Sequence, residues 1–220
     1  MSSLALVYGL NYEGTAKALK GCVNDARAVG TFLRESARFD RVRVVTDEAR
    51  DDVSAISIMK AVDDLVALTN VQDVRHLWLH FSGHGAQIAA HRPGEESDRK
   101  DECFLASDHP IRDDFFRRAL SRANPSAHIV IVFDCCHSGT MCDMDRGPMS
   151  SDVVCLSGCE DHETTRDEWD ETAREWRGAF TTALLASLRT RLHSSIADVL
   201  GDQALRRVVS TTSQRRTHLL

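Results

Sequence analysis

No apolar stretch in this 220-residue chain runs beyond about six residues, far short of the ~20 that carry a helix across a bilayer. Membrane spans of that kind are excluded. The N-terminal MSSLALVYGL has neither a positively charged start nor a long apolar centre, so it reads as a first strand and not as a signal peptide. Basic residues are in the minority: 27 Lys and Arg face 33 Asp and Glu, a net charge of −6. With no dense basic stripe, nucleic acid is excluded as the main ligand. Paired C-x2-C knuckles are missing too. The seven cysteines (22, 103, 135, 136, 142, 155 and 159) are odd in number and include an adjacent pair, which makes a poor disulfide framework. Reduced thiols and a cytoplasmic setting fit better, and the spacing Cys135, Cys136, His137, Cys142 disfavours structural zinc. No repeat, low-complexity segment or linker is visible. The content, 42% hydrophobic and 27% charged, is that of one globular domain over residues 1–220 with a sizeable core.

Periodicity then places the elements. Leu4–Tyr8, Arg41–Thr46, His76–Phe81, His128–Phe133 and Val153–Leu156 read as strands. Leu19–Arg34 carries a helical stripe through Leu19, Cys22, Val23, Ala26, Val29 and Phe32. Asp51–Leu68 predicts a second helix with Ile56, Met59, Val62, Leu65 and Leu68 on its inner face. Asp113 or Asp114 opens a short helix before Phe115–Leu120, and Ala179–Leu192 and Ser195–Val209 form two more. Gly85–Lys100 and Thr140–Ser151 read as exposed loops, Glu160–Arg177 as loop with some helix, and His218–Leu220 as a short edge strand. Strands alternating with helices predict an α/β fold around a mostly parallel sheet, with helices on both faces. Ligand sites in such sheets lie beyond the carboxyl ends of the strands.

Two of those ends carry reactive side chains. HLWLHFSGHGAQ (76–87) delivers His84 between two glycines, and HIVIVFDCCHSGT (128–140) delivers Cys136. Taken alone, a His after a strand is usually structural, and a Cys in an apolar strand is usually core. Their joint placement at strand ends points to a cysteine hydrolase. The thiolate attacks, and the imidazole takes the thiol proton and returns it to the leaving amine. The backbone N–H groups of Gly85 and Cys136 are natural donors to the oxyanion.

Ser82-Gly83-His84-Gly85 and Asp134-Cys135-Cys136-His137-Ser138-Gly139 resemble the SGHG and D-x-C-H-S-G signatures of metacaspases, in the caspase-like clan of cysteine peptidases. Leu19-Lys20-Gly21-Cys22-Val23-Asn24-Asp25-Ala26 is similar to that family's L-x-G-C-x-N-D-A segment. Asp101-Glu102 with Ile111-Arg112-Asp113-Asp114 resembles its D-E…I-x-D-D region. Val154–Asp167 and Gly178-Ala179-Phe180-Thr181 are similar to its small-subunit segments.

The resemblance implies a caspase-like fold with a six-stranded or larger sheet. A large-subunit-like region would run over about 1–143 and a small-subunit-like region over about 152–220. It implies an endopeptidase with Cys136 as nucleophile and His84 as its partner, cutting protein substrates after Arg or Lys. Cys22, Asp25, Ser82 and Asp134 match the S1 pocket, where two partly desolvated carboxylates favour a cationic P1 side chain. On helix position alone, Asp25 could equally be a solvated carboxylate. Asp101, Asp113, Asp114 and Asp143 match the ligands of an activating Ca2+, a hard cation suited to carboxylate oxygens. Phe115 departs from the pattern, standing where the family often has an acid.

A compact form without a prodomain, type I-like or prokaryotic, and a monomer are expected. Self-processing is expected at a loop Arg or Lys, with Arg146 in MDRGPMSS the first candidate among Arg99, Lys100, Arg166, Arg174 and Arg177. The alternative is a catalytically silent caspase-like module that binds or regulates.

Overall fold

The computed structural model describes residues 2–49, 51–89, 100–136, 149–158, 167–190 and 210–213. The strands are β1 (Ser2–Gly9), β2 (Arg41–Thr46), β3 (Val74–Ser82), β4 (Gly85–Ala89), β5 (Lys100–Leu105), β6 (Pro110–Arg112), β7 (His128–Asp134), β8 (Asp152–Ser157), β9 (Asp167–Asp170), β10 (Glu175–Gly178) and β11 (Ser210–Ser213). The helices are α1 (Cys22–Glu35), α2 (Ala55–Val71), α3 (Asp113–Leu120) and α4 (Ala179–Thr190).

Six strands form the central sheet in the order β11-β8-β7-β3-β1-β2. The five from β8 to β2 run parallel, and β11 adds an antiparallel edge. The inner strands are rich in Val, Ile and Leu, as strands covered on both faces must be. Leu77, Leu79 and Phe81 of β3 face a layer that holds α2 and α3. Trp78 faces the opposite layer, where Val29, Phe32 and Leu33 of α1 meet Phe180, Leu184 and Leu188 of α4. Helices therefore cover both faces, as the alternating pattern predicts.

The chain leaves β1 outward to β2 and returns to β3 on the other side of β1. That reversal opens a crevice at the carboxyl ends of β1 and β3, where open α/β sheets place their ligands. An aromatic row lies just beneath it. Phe81 stacks on Tyr8 at 5.5 Å and on Phe133 at 5.2 Å, while Phe116 of α3 meets Phe81 edge-on at 5.1 Å. The next row in register is Gly9, Ser82 and Asp134. The rigid aromatic layer thus ends one residue before the chemistry begins.

Four readings from the sequence are corrected. The helix predicted from Leu19 begins at Cys22, because the Leu19 N–H bonds to the Asn11 carbonyl at 2.7 Å and leaves the chain in a loop. Of the predicted inner face of α2, Val62 is buried and Met59, Leu65 and Leu68 pack against the core, but Ile56 is 71% exposed, and Ala55, Ile58 and Val66 complete the buried face. The start of the expected loop at Gly85 is a strand, β4, which with β5 and β6 forms a small antiparallel sheet. The described part of the charged stretch before α4, from residue 167, is a two-stranded hairpin, β9–β10, where some helix was expected, and 160–166 lie outside the described residues. The helix expected at 195–209 and the strand at 218–220 lie outside the described residues, as do 140–148 of the predicted Thr140–Ser151 loop.

Candidate active site

A cavity of about 200 Å3 opens at the carboxyl ends of the central strands. Leu19, Cys22, Asp25, Ser82, Gly83, His84, Asp134, Cys136, Asp167 and Gly178 line it. The thiol and imidazole singled out in the sequence are brought together here, and so are all four residues matched to an S1 pocket. A larger recess of about 410 Å3 lies between α2 and the β1–β2 edge. It contains neither His nor Cys, so chemistry favours the smaller cavity.

His84 follows β3 and is half-buried. Its Nε2 lies 2.7 Å from the Lys17 carbonyl oxygen. A carbonyl can only accept, so Nε2 carries the proton and Nδ1 is left as the basic nitrogen. Cys136 lies in the turn just beyond β7 and lines the same cavity, and the two strand ends are tied by a Gly83 N–H bond to the Asp134 carbonyl at 3.2 Å. Gly85 packs flat against the Cys136 backbone: a Cβ there would sit 1.8 Å from the Cys136 carbonyl oxygen. Only glycine permits that approach.

In the acidic wall Asp25 and Asp134 are buried and Asp167 is half-buried, and all three are held by uncharged donors. Asp25, 1% exposed, accepts the Ser82 hydroxyl at 3.0 Å and the Gly178 N–H at 2.9 Å. Asp134 accepts the Thr181 hydroxyl at 2.6 Å and the Thr181 N–H at 3.1 Å. Asp167 accepts the N–H groups of Lys20 (2.9 Å) and Gly21 (3.2 Å). Burial pushes the Asp134 carboxyl up to about 6, opposed by the Thr181 hydrogen bonds. Burial, and then the neighbouring Asp134, push Asp25 well above the carboxylate range. Burial likewise raises the Cys22 thiol. Gly178 lets the two carboxyls close in, since a Cβ would lie 2.5 Å from an Asp134 oxygen.

The residues matched to calcium ligands lie apart from this cavity, on β5 and at the start of α3. Asp101 and Asp113 are buried, and both are oxygen donors of the kind calcium takes. Arg112 pairs with Asp101, and Asp113 accepts the Asp114 N–H at 2.8 Å. Among the described residues no three acidic, His or Cys side chains converge as a metal cage. Asp143 and Arg146 lie outside the described residues.

Three participants escape the sequence reading. Asp167 sits at the end of a segment with family resemblance, which is the one signal that could have flagged it. The Lys17 carbonyl is a backbone atom with no side-chain signature. Tyr12, whose ring lies 4.9 Å from the His84 imidazole, carries no catalytic pattern of its own.

A thiol, an imidazole of fixed tautomer and an acidic recess on this sheet define a caspase-type cysteine peptidase domain. The caspase domain family (peptidase C14) matches residues 2–218, and the chain belongs to it. Within that family it is metacaspase-like. Metacaspase-7 of Arabidopsis thaliana is 35% identical over 148 residues, covering 65% of this chain and 36% of the relative. Metacaspase-2 of Trypanosoma brucei brucei is 28% identical over 196 residues, covering 74% of this chain and 55% of the relative. The chain thus spans less than two thirds of either. In fold it is similar to protein GSU0716 from Geobacter sulfurreducens, with a TM-score of 0.72 at 21% identity over 96% of this chain and 92% of the other. It is also similar to pro-sf-caspase-1, with a TM-score of 0.56 at 15% identity over 96% and 90%.

Proposed function

We propose that this chain is an endopeptidase that cuts after Arg or Lys, with Cys136 as nucleophile and His84 as its acid–base partner. The observation that carries the reading is the grouping of Asp25, Asp134 and Asp167 with His84 and Cys136 around one cavity. Asp25 and Asp134 are buried and Asp167 is half-buried, all against neutral donors, so they gain most from a cation delivered by the substrate. A guanidinium or ammonium at P1 supplies it, while a P1 Asp would add like charge and be rejected.

The chemistry follows from the fixed tautomer. Nδ1 of His84 takes the Cys136 thiol proton, and the thiolate attacks the scissile carbonyl. The N–H groups of Gly85 and Cys136 stabilise the resulting oxyanion. The imidazolium then protonates the leaving amine as the C–N bond breaks and leaves a Cys136 thioester; the freed imidazole takes a proton from a water that attacks this thioester, and the C–S bond breaks to release the acid product and return the Cys136 thiol. Throughout, the Lys17 carbonyl keeps the Nε2 proton engaged.

Calcium belongs to the same reading as an activating ion. Asp101, Asp113, Asp114 and Asp143 would hold it, with Arg112 released from Asp101, and the ion would supply charge that orders their loops. Cleavage after Arg146 by the enzyme itself, a monomeric state, a cytoplasmic setting and one peptidase domain over 1–220 complete the proposal. Among the described residues no helix is long and apolar enough to cross a membrane.

The test is covalent labelling with peptidyl ketones bearing Arg or Asp at P1, read by peptide mapping. Labelling of Cys136 alone, by the Arg reagent alone, and slowed at least 100-fold in His84→Ala, is the expected result. Equal labelling of several cysteines would instead support a silent binding module.

A further inference from the structure

Tyr12 stands in the loop that follows the first strand, in a conformation that a bulky side chain seldom adopts, with φ at +51°. Such an outlier persists only where its surroundings impose it. Here Asp47 imposes it: one carboxylate oxygen takes the Asn11 N–H at 3.1 Å and the other takes the Tyr12 N–H at 2.6 Å. The result is a tyrosine turned under the catalytic loop.

From that position Tyr12 reaches His84 by two routes. Its hydroxyl accepts the His84 backbone N–H at 3.0 Å and donates to the Leu105 carbonyl at 2.6 Å. The Leu105 N–H returns to the His84 carbonyl at 2.9 Å. The phenol is thereby spliced into the ladder between His84 and Leu105, and both backbone groups of His84 are fixed. Its ring also lies 4.9 Å from the imidazole, tilted by 38°. Burial raises the phenol far above its ordinary range, so it remains a donor at any working pH.

A third connection runs through Thr15. The Thr15 hydroxyl donates to the Tyr12 carbonyl at 2.7 Å and accepts the Lys17 N–H at 3.1 Å. Lys17 in turn presents its carbonyl to His84 Nε2 at 2.7 Å. The contacts close a ring: imidazole, Lys17, Thr15, Tyr12 and back to the His84 backbone.

We propose that Tyr12 and Thr15 are positioning residues that hold the His84 imidazole in its Nε2-protonated, Nδ1-basic form. Neither touches the scissile bond. They act by setting where the imidazole points and where its acceptor stands, and small displacements of such groups cost rate steeply. The inference rests on His84 being the catalytic base.

The experiment compares Tyr12→Phe, Thr15→Val and Thr15→Ser with wild type in the full chain. Thr15 is exposed, and Thr15→Val keeps its shape, so folding is preserved, as a thermal melt verifies. Three readouts are taken: kcat and KM on an Arg-P1 peptide, the pH profile of Cys136 alkylation by iodoacetamide, and the 15N signals of the His84 ring. Tyr12→Phe and Thr15→Val each lower kcat about 10-fold with KM within 2-fold, and the ring signals shift to a mixture of tautomers. Thr15→Ser restores both. The double variant loses less than the product of the singles, because both act on one imidazole.

Unchanged kcat and a single tautomer in both variants overturn the proposal. So does a loss confined to KM, or a Thr15→Ser no better than Thr15→Val. If wild type hydrolyses no basic peptide, the peptidase reading fails on its own, and alkylation and ring signals still decide the positioning role.

Discussion

Replacing Asp134 with Asn exchanges a carboxylate for a neutral amide of the same shape at the wall of the acidic recess. Asp134 is 3% exposed, and burial holds its carboxyl at about 6 against an ordinary 3.8. That difference corresponds to about 3 kcal/mol once the group is ionised. The sign follows from proton counting. Between pH 4 and 6 the folded chain retains a proton that the unfolded chain has lost, so stability falls as pH rises through that window. Above it the penalty is complete. The amide oxygen can still accept from Thr181, so Asp134→Asn removes the penalty without losing those bonds. The variant should gain up to about 3 kcal/mol at pH 7.5 and nothing near pH 4, a rise in Tm of roughly 6–10 °C at the higher pH for a domain of this size. Activity should move the other way. Losing one charge-assisted contact to the P1 cation costs about 2–3 kcal/mol, or roughly 100-fold in kcat/KM. The assay pairs thermal melts at pH 4.5 and 7.5 with turnover of an Arg-P1 peptide. A lower Tm at pH 7.5, or an equal gain at both pH values, would refute the view of this wall as a strained anionic site awaiting a cation.

Further outcomes follow from other residues. His80 is fully buried, neither ring nitrogen has a hydrogen-bond partner among the described residues, and burial lowers it to about 3. Its stability contribution is complete above pH 6.5 and is lost as pH falls toward 3, so His80→Leu should flatten acid sensitivity by about 2–3 kcal/mol at pH 4.5, measured by urea unfolding. Gly85→Ala forces a Cβ to within 1.8 Å of the Cys136 carbonyl oxygen; it should lower kcat by roughly 100-fold in a chain that still folds, read by turnover beside a thermal melt. Calcium should raise the Tm of wild type, and Asp113→Asn should abolish the rise, measured by melts in calcium and in chelator. Arg146→Ala should leave an intact band where wild type is processed, checked by gel electrophoresis.

The strands were the most legible part of the fold, because β3, β7 and β8 are short, densely β-branched or apolar runs that end in turn residues. His84 and Cys136 were legible for the same reason: each stands where such a run stops. The inner face of α2 was legible in part: Val62 is buried and Met59, Leu65 and Leu68 pack against the core, but Ile58 and Val66 are buried where Ile56 was expected, and only packing against β6 and α3 decides that. The β9–β10 hairpin was hidden by its charge: the strands are only four residues each, and the turn relies on Arg174 at φ +57°, a conformation that composition does not announce. Asp25 was ambiguous as a helix carboxylate until Gly178 and Ser82 closed around it. The Lys17 carbonyl was beyond reach, since every residue carries a carbonyl and only tertiary structure selects one.

Cleavage after a basic residue by the Cys136 thiolate is read from hydrolysis of a fluorogenic Arg-P1 peptide beside its Asp-P1 counterpart, with wild type and Cys136→Ala, in calcium and in chelator. Turnover of the Arg peptide alone is expected, absent in Cys136→Ala and greater with calcium. Turnover that favours the Asp peptide, or that survives loss of Cys136, would contradict this reading.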